Sequence, residues 1–465
     1  MNTGNRTRLK MTNYTKGERE IVLDILMDRE KKGTYSNVLV RKALDRYAGI
    51  PQTQRSFIKR LAEGTIERQI ELDGIIRSHL RSKDDPVRPI VLCLLRMSVY
   101  QIYYMDSVPD FAVCNEAVRI LKKRHQDSAV PFVNAVLRSI CRDKKVSSEK
   151  PDDELTLEQL CVRYSMPEVI ASLWKEAYGE QKVRSLLPAM MAPRPVCIRM
   201  DRRRSEEERA EVLKRLREKG VGVTPGHYVP DCYYLKGTSG IASLYGFAEG
   251  IFTVQDESSQ LAVLAAGLTG NEIVFDLCAA PGGKTLFAES MLPSGRVYAY
   301  DVSPVKTAQI KSNISRIDGG HFPCRVTVGV KDATVFDPAL ENRADVVLCD
   351  VPCSGLGVMT KKRDIKYNVS MEKITSLVSL QKKILRNAVR YVKPGGTLIY
   401  STCTINPWEN DLQAEFIRAK LSMQPEDLSG YLPGEVPGIS GNMLQLYPDV
   451  HDTDGFFIAR FKKPL

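Results

Sequence analysis

The sequence of 465 residues lacks the long apolar runs that mark membrane-spanning or secreted chains. No stretch approaches the roughly 18 uncharged apolar residues that a membrane span needs. The first segment, Met1 to Lys16, is polar and contains no apolar core of a signal peptide. These absences predict a cytoplasmic protein with no membrane partner.

Cysteine and histidine are present, but not in arrangements that bind metals. Eleven cysteines are scattered along the chain, none of them in a C-x-x-C pair, and the five histidines lie far apart. An odd number of cysteines in a chain without a signal peptide favours reduced thiols over a disulfide framework. No histidine stands at zinc-ligand spacing from a cysteine, so the sequence predicts no metal site.

The charge is unevenly distributed. The net charge is +11; residues 1–150 carry 29 Lys and Arg against 18 Asp and Glu, and the remaining residues carry 38 of each sign. A basic amino-terminal third on a neutral body indicates a module that meets a polyanion, with nucleic acid as the first candidate. The alternative interpretation is a solvated, lysine-rich surface.

Hydrophobic spacing divides the chain into three predicted domains, at residues 1–145, 146–250 and 251–465. From Asn13 to Arg142 apolar residues recur at helical spacing, which predicts an all-α bundle. The segment Pro89–Tyr104 is apolar nearly all round and is the predicted central helix. The charged stretch Arg142–Glu154 is the predicted linker. The middle domain is predicted to be a small α+β unit, with strands at Arg194–Met200, Tyr228–Leu235 and Ile251–Val254 and a helix at Ser205–Lys219.

Regular alternation of strands and helices begins at about Gln255. Strands are predicted at Ile273–Leu277, Val297–Asp301, Val326–Gly329, Val346–Cys349, Gly396–Tyr400 and Phe456–Phe461, and helices at Gly283–Met291, Val305–Arg316, Glu372–Tyr391 and Asn406–Leu421. Such alternation builds an α/β Rossmann-like domain with a mostly parallel sheet. Ligands bind beyond the carboxyl ends of the strands in such sheets.

A glycine-rich turn follows the first strand of this sheet, in Asp276-Leu-Cys-Ala-Ala-Pro-Gly-Gly-Lys-Thr285. A phosphate-binding loop would need glycine where Cys278 stands, and no G-x-G-x-x-G fingerprint is present. Asp301, at the end of the next strand, can accept hydrogen bonds from both hydroxyls of a ribose. An adenosine ligand without a pyrophosphate, such as S-adenosyl-L-methionine, fits this combination. A helix cap before Ser303 is the alternative role for Asp301.

Two cysteines lie at strand ends of the same sheet, in Asp350-Val-Pro-Cys353-Ser-Gly355 and Ser401-Thr-Cys403-Thr404. Their small, polar and turn-forming neighbours predict that they lie at the opening of a cleft rather than in a core. Most other cysteines are expected to be buried in a core, where they act as small apolar residues. A free thiol is only a few per cent ionised at neutral pH, so a reactive one needs activation.

These three motifs together resemble the RNA 5-methylcytosine methyltransferases of the Fmu/Nol1/Nop2/Sun type. Further matching segments are Gln255-Asp-Glu-Ser-Ser-Gln260, Lys331-Asp332-Ala333, Lys393-Pro-Gly-Gly396 and Asp454-Gly-Phe-Phe457. The helical part is similar to the NusB-type RNA-binding fold in Asn115-Glu-Ala-Val118 and Pro131-Phe-Val-Asn-Ala-Val-Leu-Arg138. The resemblance implies a NusB-like bundle, a small RRM-like domain and a class I methyltransferase domain with a seven-stranded sheet.

The resemblance also implies a function. Cys403 would add to C6 of an unpaired or flipped cytosine in 16S ribosomal RNA, Asp350 would supply a proton near N3, and Cys353 would assist product release. S-adenosyl-L-methionine would donate the methyl group and leave as S-adenosyl-L-homocysteine. The residues implied to line its pocket are Cys278, Ala279, Ala280, Pro281, Gly282, Gly283, Lys284, Asp301, Asp332 and Asp350. A monomer is expected.

Three alternatives remain open on the sequence. Related DNA enzymes carry their nucleophile in a Pro-Cys motif, so the roles of Cys353 and Cys403 can be exchanged. The substrate can be transfer RNA, or the chain can be a non-catalytic RNA-binding protein. One segment also departs from the family pattern: Thr360-Lys-Lys-Arg-Asp-Ile-Lys-Tyr367 lacks a proline and has tyrosine in place of tryptophan. Its basic character predicts contact with RNA.

Overall fold

The computed structural model describes residues 16–47, 49–82, 84–144, 150–238, 240–318, 325–434 and 436–465. The chain forms two compact units. The helical unit extends to Lys175 and also contains residues 361–368, whereas the larger unit comprises residues 176–360 and 369–465. The first fifteen residues, Lys145–Glu149 of the predicted linker, His321 and Cys324 lie outside the described residues.

The helical unit confirms the predicted all-α bundle. Its helices are α1 (Glu18–Lys32), α2 (Ser36–Arg46), α3 (Gln52–Glu67), α4 (Gln69–Ser78), α5 (Pro89–Tyr104), α6 (Asp110–Lys123), α7 (Val130–Lys144), α8 (Leu157–Arg163) and α9 (Glu168–Tyr178). The predicted central helix is confirmed, because α5 has buried residues on every side and even Arg96 is buried. Arg96 donates to Asp73 at 2.6 and 2.7 Å and to Glu30 at 2.8 Å, which compensates its desolvation. Helix α7 continues to Lys144, so the predicted linker begins too early.

Residues 361–368 belong to the helical unit although they lie between the two cysteine motifs in sequence. Asp364 accepts the backbone N–H of Ser36 at 2.5 Å, and Arg363 donates to Glu67 at 2.7 Å. Tyr367 donates to the carbonyl of Glu67 at 2.7 Å. Lys366 is only 2% exposed, so the predicted RNA contact is wrong for this residue. Lys361 and Lys362 are exposed, and for them it stays a prediction.

The middle of the chain confirms the predicted small α+β domain. It contains α10 (Glu180–Ala189), β1 (Val196–Met200), α11 (Glu206–Glu218), β2 (Gly222–Pro225), β3 (Cys232–Lys236) and β4 (Phe252–Val254). The four strands form an antiparallel sheet in the order β2-β3-β1-β4. The strand predicted at Tyr228–Leu235 begins only at Cys232, because the buried Glu257 accepts the backbone N–H groups of His227, Tyr228 and Val229 at 2.6 to 3.0 Å. Strand β2 is not among the predicted strands.

The carboxyl-terminal part confirms the α/β Rossmann-like architecture. Its elements are α12 (Glu257–Leu264), β5 (Ile273–Asp276), α13 (Gly283–Ser290), β6 (Arg296–Asp301), α14 (Pro304–Asp318), β7 (Val326–Val330), β8 (Ala344–Asp350), α15 (Met371–Tyr391), β9 (Val392–Thr402), α16 (Asp411–Lys420), β10 (Gln424–Pro425), β11 (Ile439–Ser440), β12 (Met443–Leu446), α17 (Pro448–His451) and β13 (Phe456–Lys462). Strands β7-β6-β5-β8-β9 are parallel neighbours, and β13, β12 and β11 continue the sheet antiparallel. Among the described residues the sheet has nine strands rather than the predicted seven, because the short strands β10 and β11 also belong to it.

The strand order places the candidate site residues together at the carboxyl ends of the parallel strands. Strand β5 lies between β6 and β8, so the order reverses at β5 and leaves a crevice at the carboxyl ends. Asp276, Asp301 and Asp350 are the last residues of β5, β6 and β8, and Asp350 is paired in register with Ser401 of β9. The cysteine motifs that follow β8 and end β9 therefore meet at the same edge.

Candidate active site

The glycine-rich loop connects β5 to the start of α13. Gly282 has a φ of +105°, a conformation that residues with a side chain rarely adopt, and its N–H donates to the carbonyl of Ala279 at 2.7 Å. The N–H of Ala279 in turn donates to the carbonyl of Tyr300 at 2.9 Å. This tight turn brings the backbone of residues 278–283 to the crevice at the amino terminus of α13.

Asp276 lies buried beneath this loop. Thr285 donates to its Oδ2 at 2.6 Å, whereas its Oδ1 has no hydrogen-bond partner among the described residues. Burial raises the pKa of Asp276 to about 6, partly opposed by Thr285 and Lys284. A buried carboxylate oxygen without a donor is costly, so this site favours a ligand that brings a positively charged donor.

The two other predicted cofactor acids differ in their surroundings. Asp301 is 5% exposed and accepts the N–H of Ser303 at 3.1 Å, the contact expected of a residue before a helix start. Asp332 is exposed, and Thr334 donates to it through both hydroxyl and backbone, which lowers the pKa of Asp332. A cavity of about 270 Å³ adjoins Asp332 and is lined by Tyr300, Phe336 and Tyr391. Of the glycine-rich loop only Leu277 lines it, and neither Cys353 nor Cys403 is among its lining residues.

Lys284 and Asp350 form an ion pair at the centre of the site. The Lys284 Nζ to Asp350 Oδ2 distance is 2.8 Å, and Ser401 donates to Asp350 Oδ1 at 2.8 Å. Burial disfavours the ammonium, but Asp350, Asp276 and Cys403 outweigh it and raise the pKa of Lys284. Both carboxylate oxygens of Asp350 thus face donors, and a mostly buried cation stands beside Cys403.

The structure brings the two predicted cysteines together. The Sγ atoms of Cys353 and Cys403 are 3.3 Å apart, and both side chains are partly exposed. A hydrogen bond to Cys403 and burial raise the pKa of Cys353 well above that of a free thiol. Cys349, only four residues earlier, is fully buried and behaves as a core residue.

Two glycines determine how closely the cysteine loops approach. The N–H of Gly357 donates to the carbonyl of Cys403 at 3.0 Å, and the N–H of Gly455 donates to the carbonyl of Gly357 at 2.9 Å. A side-chain carbon at Gly357 would stand 1.8 Å from the carbonyl oxygen of Gly455. Only glycine fits at position 357, and a side-chain carbon at Gly455 would stand 2.9 Å from the Cα of Gly357, which gives a physical reason for the glycine of the Asp454-Gly-Phe-Phe457 segment.

The sequence did not point to the buried polar cluster behind the two thiols. The helix predicted at Asn406–Leu421 begins only at Asp411, because the side chains of Asn406, Glu409 and Asn410 are fully buried and hydrogen-bonded. Glu409 accepts hydrogen bonds from Ser354, Gln381 and Asn406. The unusual run Asn406-Pro-Trp-Glu-Asn410, polar and interrupted by proline, is the signal that could have indicated a turn.

Metal binding and membrane crossing find no support in the described part of the chain. No group of His, Cys, Asp or Glu there has an arrangement that could hold a metal ion. Among the same residues, no helix combines the length and the apolar character required to cross a membrane.

Models of known families match three parts of the chain. Residues 16–142 match the NusB family, residues 166–242 match the ferredoxin-like domain of RsmF/B-like methyltransferases, and residues 263–462 match the 16S rRNA methyltransferase RsmB/F. The order of these matches is the order of the domains described above.

Individual relatives cover nearly the whole chain. The probable ribosomal RNA small subunit methyltransferase B of Bacillus subtilis is 34% identical over 96% of this chain and 98% of its own length. The crystal structure of PH0851 superposes with a TM-score of 0.77 at 25% identity, covering 97% of this chain and all of that one. A methyltransferase homologue from Pyrococcus horikoshii, 27% identical, covers 66% of this chain and all of its own with a TM-score of 0.54. The chain belongs to the RsmB/F family of 16S rRNA methyltransferases.

Proposed function

We propose that this protein methylates C5 of a cytosine in small-subunit ribosomal RNA, with Cys403 as the covalent nucleophile. The observation that carries the proposal is the pair of thiols 3.3 Å apart, beside the Lys284–Asp350 ion pair. C5 of cytosine is a poor nucleophile, and addition of a thiolate to C6 makes it enamine-like. An accessible thiol next to a cation and a carboxylate suits this reaction.

S-adenosyl-L-methionine is the proposed methyl donor, which leaves as S-adenosyl-L-homocysteine. The residues present fit it, since the Oδ1 of Asp276, partnerless among the described residues, favours a cationic group such as its α-amino group, and Asp301 stands where a ribose is bound. When bound, this group supplies an electrophilic sulfonium methyl. The residues proposed to hold it are Asp276, Cys278, Ala279, Ala280, Pro281, Gly282, Gly283, Lys284, Asp301, Asp332 and Asp350.

Cys403 attacks first. Its thiolate forms a bond to C6, and the electron pair of the C5–C6 double bond moves into the ring towards N3. The ammonium of Lys284 lies near enough to Cys403 that the thiolate raises the pKa of Lys284, and the ammonium therefore stabilises the thiolate in return.

Asp350 and Lys284 supply the proton that N3 takes up. With Ser401 and Lys284 both donating to it, Asp350 is held as an acceptor, and the proton that N3 takes up passes through Asp350 from the Lys284 ammonium. After C5 has taken the methyl group, the C5 proton passes to water. Elimination of Cys403 as a thiolate then returns the N3 proton through Asp350 to the Lys284 amine and restores the aromatic ring. Cys353, 3.3 Å from Cys403, can return a proton to the departing thiolate.

The helical unit is proposed to bind the RNA. Residues 1–150 carry the whole net charge of +11, and contacts of Lys and Arg with phosphate are favourable irrespective of sequence. The target cytosine must be unpaired or flipped out for Cys403 to reach C6. We propose functional domains at residues 1–145, 146–250 and 251–465, which assign the RNA-binding, small α+β and catalytic roles.

Trapping with RNA containing 5-fluorocytosine tests the nucleophile. Fluorine at C5 cannot leave as a proton does, so the adduct with C6 persists and is seen as a shifted band. We expect adduct formation in wild type and in Cys353→Ala, and none in Cys403→Ala. Loss in Cys353→Ala with retention in Cys403→Ala would exchange the roles of the two thiols. Bisulfite mapping of ribosomal RNA with and without the protein then identifies the cytosine.

A further inference from the structure

Ser354, which directly follows Cys353, binds the buried carboxylate of Glu409 and also contacts Thr404, which directly follows Cys403. Ser354 donates to Glu409 through its backbone N–H, at 2.8 Å from Oε1, and through its hydroxyl, to Oε2. Thr404 lies 2.9 Å from the Ser354 hydroxyl, oxygen to oxygen. Glu409 is therefore the point at which the loop after β8 and the loop after β9 are fixed to each other.

The hydrogen-bond pattern requires an acceptor at Glu409. Gln381 donates to Oε1 at 2.9 Å and Asn406 donates to Oε2 at 2.9 Å, in addition to the two groups of Ser354. The N–H of Asn406 also donates to the Thr404 hydroxyl at 3.2 Å. With that donor in place, the Thr404 hydroxyl can donate to Ser354, whose own hydroxyl donates to Glu409. The described residues thus surround the Glu409 carboxyl with four donors, an arrangement that stabilises a carboxylate rather than a carboxylic acid.

The charge lies close to one thiol. The amide of Ser354, which Glu409 binds at 2.8 Å, is bonded directly to the carbonyl carbon of Cys353. Negative charge in such a buried place disfavours ionisation of a neighbouring thiol. Cys403, Glu409 and Asp350 all contribute to raising the pKa of Cys353. The other thiol interacts with a cation, since Cys403 contributes to raising the pKa of Lys284.

We propose that Glu409 is a positioning residue that keeps Cys353 protonated, so that Cys403 is the thiol of the pair that ionises. This inference rests on the proposed function, since it explains why Cys403 rather than Cys353 is the nucleophile. The Cys353 thiol donates its proton towards Cys403 across 3.3 Å, and the same proton is available when Cys403 leaves C6. No bond to Glu409 itself forms or breaks.

Several charged and titratable groups surround the thiols and Glu409. Burial raises the pKa of Glu409, opposed by Ser354, Asn406 and Gln381. Tyr400 donates to the backbone carbonyl of Glu409 at 2.5 Å, and burial raises its pKa far above the neutral range. The groups that the described residues present near the pair include Lys284, Asp276, Cys349, Asp350, Tyr400 and Glu409.

Site-resolved alkylation of the full-length protein tests the inference without RNA or cofactor. The protein is treated with iodoacetamide from pH 6 to 10, and labelling of each cysteine is read by mass spectrometry with fragment spectra. In wild type we expect Cys403 to be half-labelled at a lower pH than Cys353, with the buried Cys349 unlabelled. In Glu409→Gln, labelling of Cys353 at pH 7.5 should rise roughly tenfold, the change that one pKa unit produces.

Two variants separate charge from structure. Glu409→Asp keeps the charge and should preserve the order of the two thiols even where turnover falls. Glu257→Gln is the matched control, because Glu257 is another fully buried carboxylate with four donors, but its donors are His227, Tyr228, Val229 and Tyr234. This control should leave the labelling profile of both thiols unchanged.

The possible outcomes are distinguishable. Labelling of Cys353 at the same or a lower pH than Cys403 in wild type overturns the inference, whether or not any variant folds. So does a folded Glu409→Gln protein, judged by its thermal unfolding, with the wild-type profile. If instead the labelling follows expectation but Cys403→Ala still forms the 5-fluorocytosine adduct, the proposed function fails and the thiol order stands.

Discussion

Two pairs of cysteines in the larger unit have nearly the same separation and very different surroundings. The Sγ atoms of Cys353 and Cys403 are 3.3 Å apart, and those of Cys197 and Cys232, in neighbouring strands of the small sheet, are 3.2 Å apart. Cys197 and Cys232 are 3% and 2% exposed and lie in a core with the amide of Gln260 beside them. A hydrogen bond to Cys232 and burial raise the pKa of Cys197 well above its ordinary value.

The comparison of the two pairs indicates that a short distance between two thiols does not by itself make either of them reactive. At the strand ends, the pair is partly exposed, and it interacts with both a cation, Lys284, and an anion, Glu409. In the small sheet, the neighbouring thiol and burial likewise keep Cys197 neutral, and the charges that act on it, Asp256 and Glu257, are both negative. The charges around a thiol pair, and its access to a substrate, decide what it can do.

The largest effect that would test this contrast is loss of the nucleophile. Cys403→Ser should reduce methyl transfer to ribosomal RNA by on the order of a thousandfold or more, because a hydroxyl is far less ionised than a thiol. Cys197→Ala should stay within about twofold of wild type, as expected of a residue outside the site. Transfer of a radiolabelled methyl group measures both. Equal losses in the two variants would remove the functional distinction between the pairs.

The second effect concerns the cation. Lys284→Met should lower kcat by about a hundredfold, since it removes both the proton source for Asp350 and the positive charge beside Cys403. Lys393→Met is the matched control: Lys393 forms a 2.7 Å ion pair with Asp345 that is more than one third exposed on both sides. Exposed pairs contribute little, so its kcat should be unchanged. A change in KM for RNA without a fall in kcat would contradict this role of Lys284.

The third effect is a pH-dependent stability change at Asp276. Its folded pKa of about 6 lies above the ordinary 3.8, so ionisation destabilises the fold progressively as the pH rises from about 4 to 6. Asp276→Asn cannot ionise and should be more stable than wild type at pH 7.5 by up to about 3 kcal/mol, while binding the methyl donor more weakly. At pH 4 the free energies of unfolding of the two proteins should converge. Urea unfolding at both values measures this, and a stabilisation that is independent of pH would contradict it.

The smallest effect is expected in the buried pair. Cys232→Ala removes a buried sulfur from a packed core and should lower the free energy of unfolding by about 1–2 kcal/mol without changing methyl transfer. Cys353→Ala, partly exposed, should lower it less but retard product release, seen as accumulation of the protein–RNA adduct. Denaturant unfolding and gel analysis of the adduct distinguish the two. Adduct accumulation in Cys232→Ala would contradict the expectation that only the pair at the strand ends acts in the reaction.

Local patterns were sufficient to predict most elements of the sheet. The apolar runs at Ile273–Leu277 and Val297–Asp301 correspond to β5 and β6 within one residue, and α5 spans the predicted Pro89–Tyr104. Patterns failed where side chains compete with the backbone. Glu257 accepts the hydrogen bond of the Tyr228 N–H, which a strand at this position would use for pairing. The buried side chains of Asn406 and Glu409 bond to each other where the sequence pattern predicts the first turn of a helix.

The residues at the strand ends could be identified from local patterns alone: Asp276, Asp301 and Asp350 close apolar runs, and the cysteine motifs occur next to such ends. This is local information, because burial and strand propensity depend on neighbouring residues. Long-range contacts in the folded chain, by contrast, place Cys353 and Cys403 3.3 Å apart, connect their two loops through Glu409, and include residues 361–368 in the helical unit. These arrangements depend on hydrogen bonds and packing between residues about 50 to 330 positions apart, which no periodicity along the chain encodes.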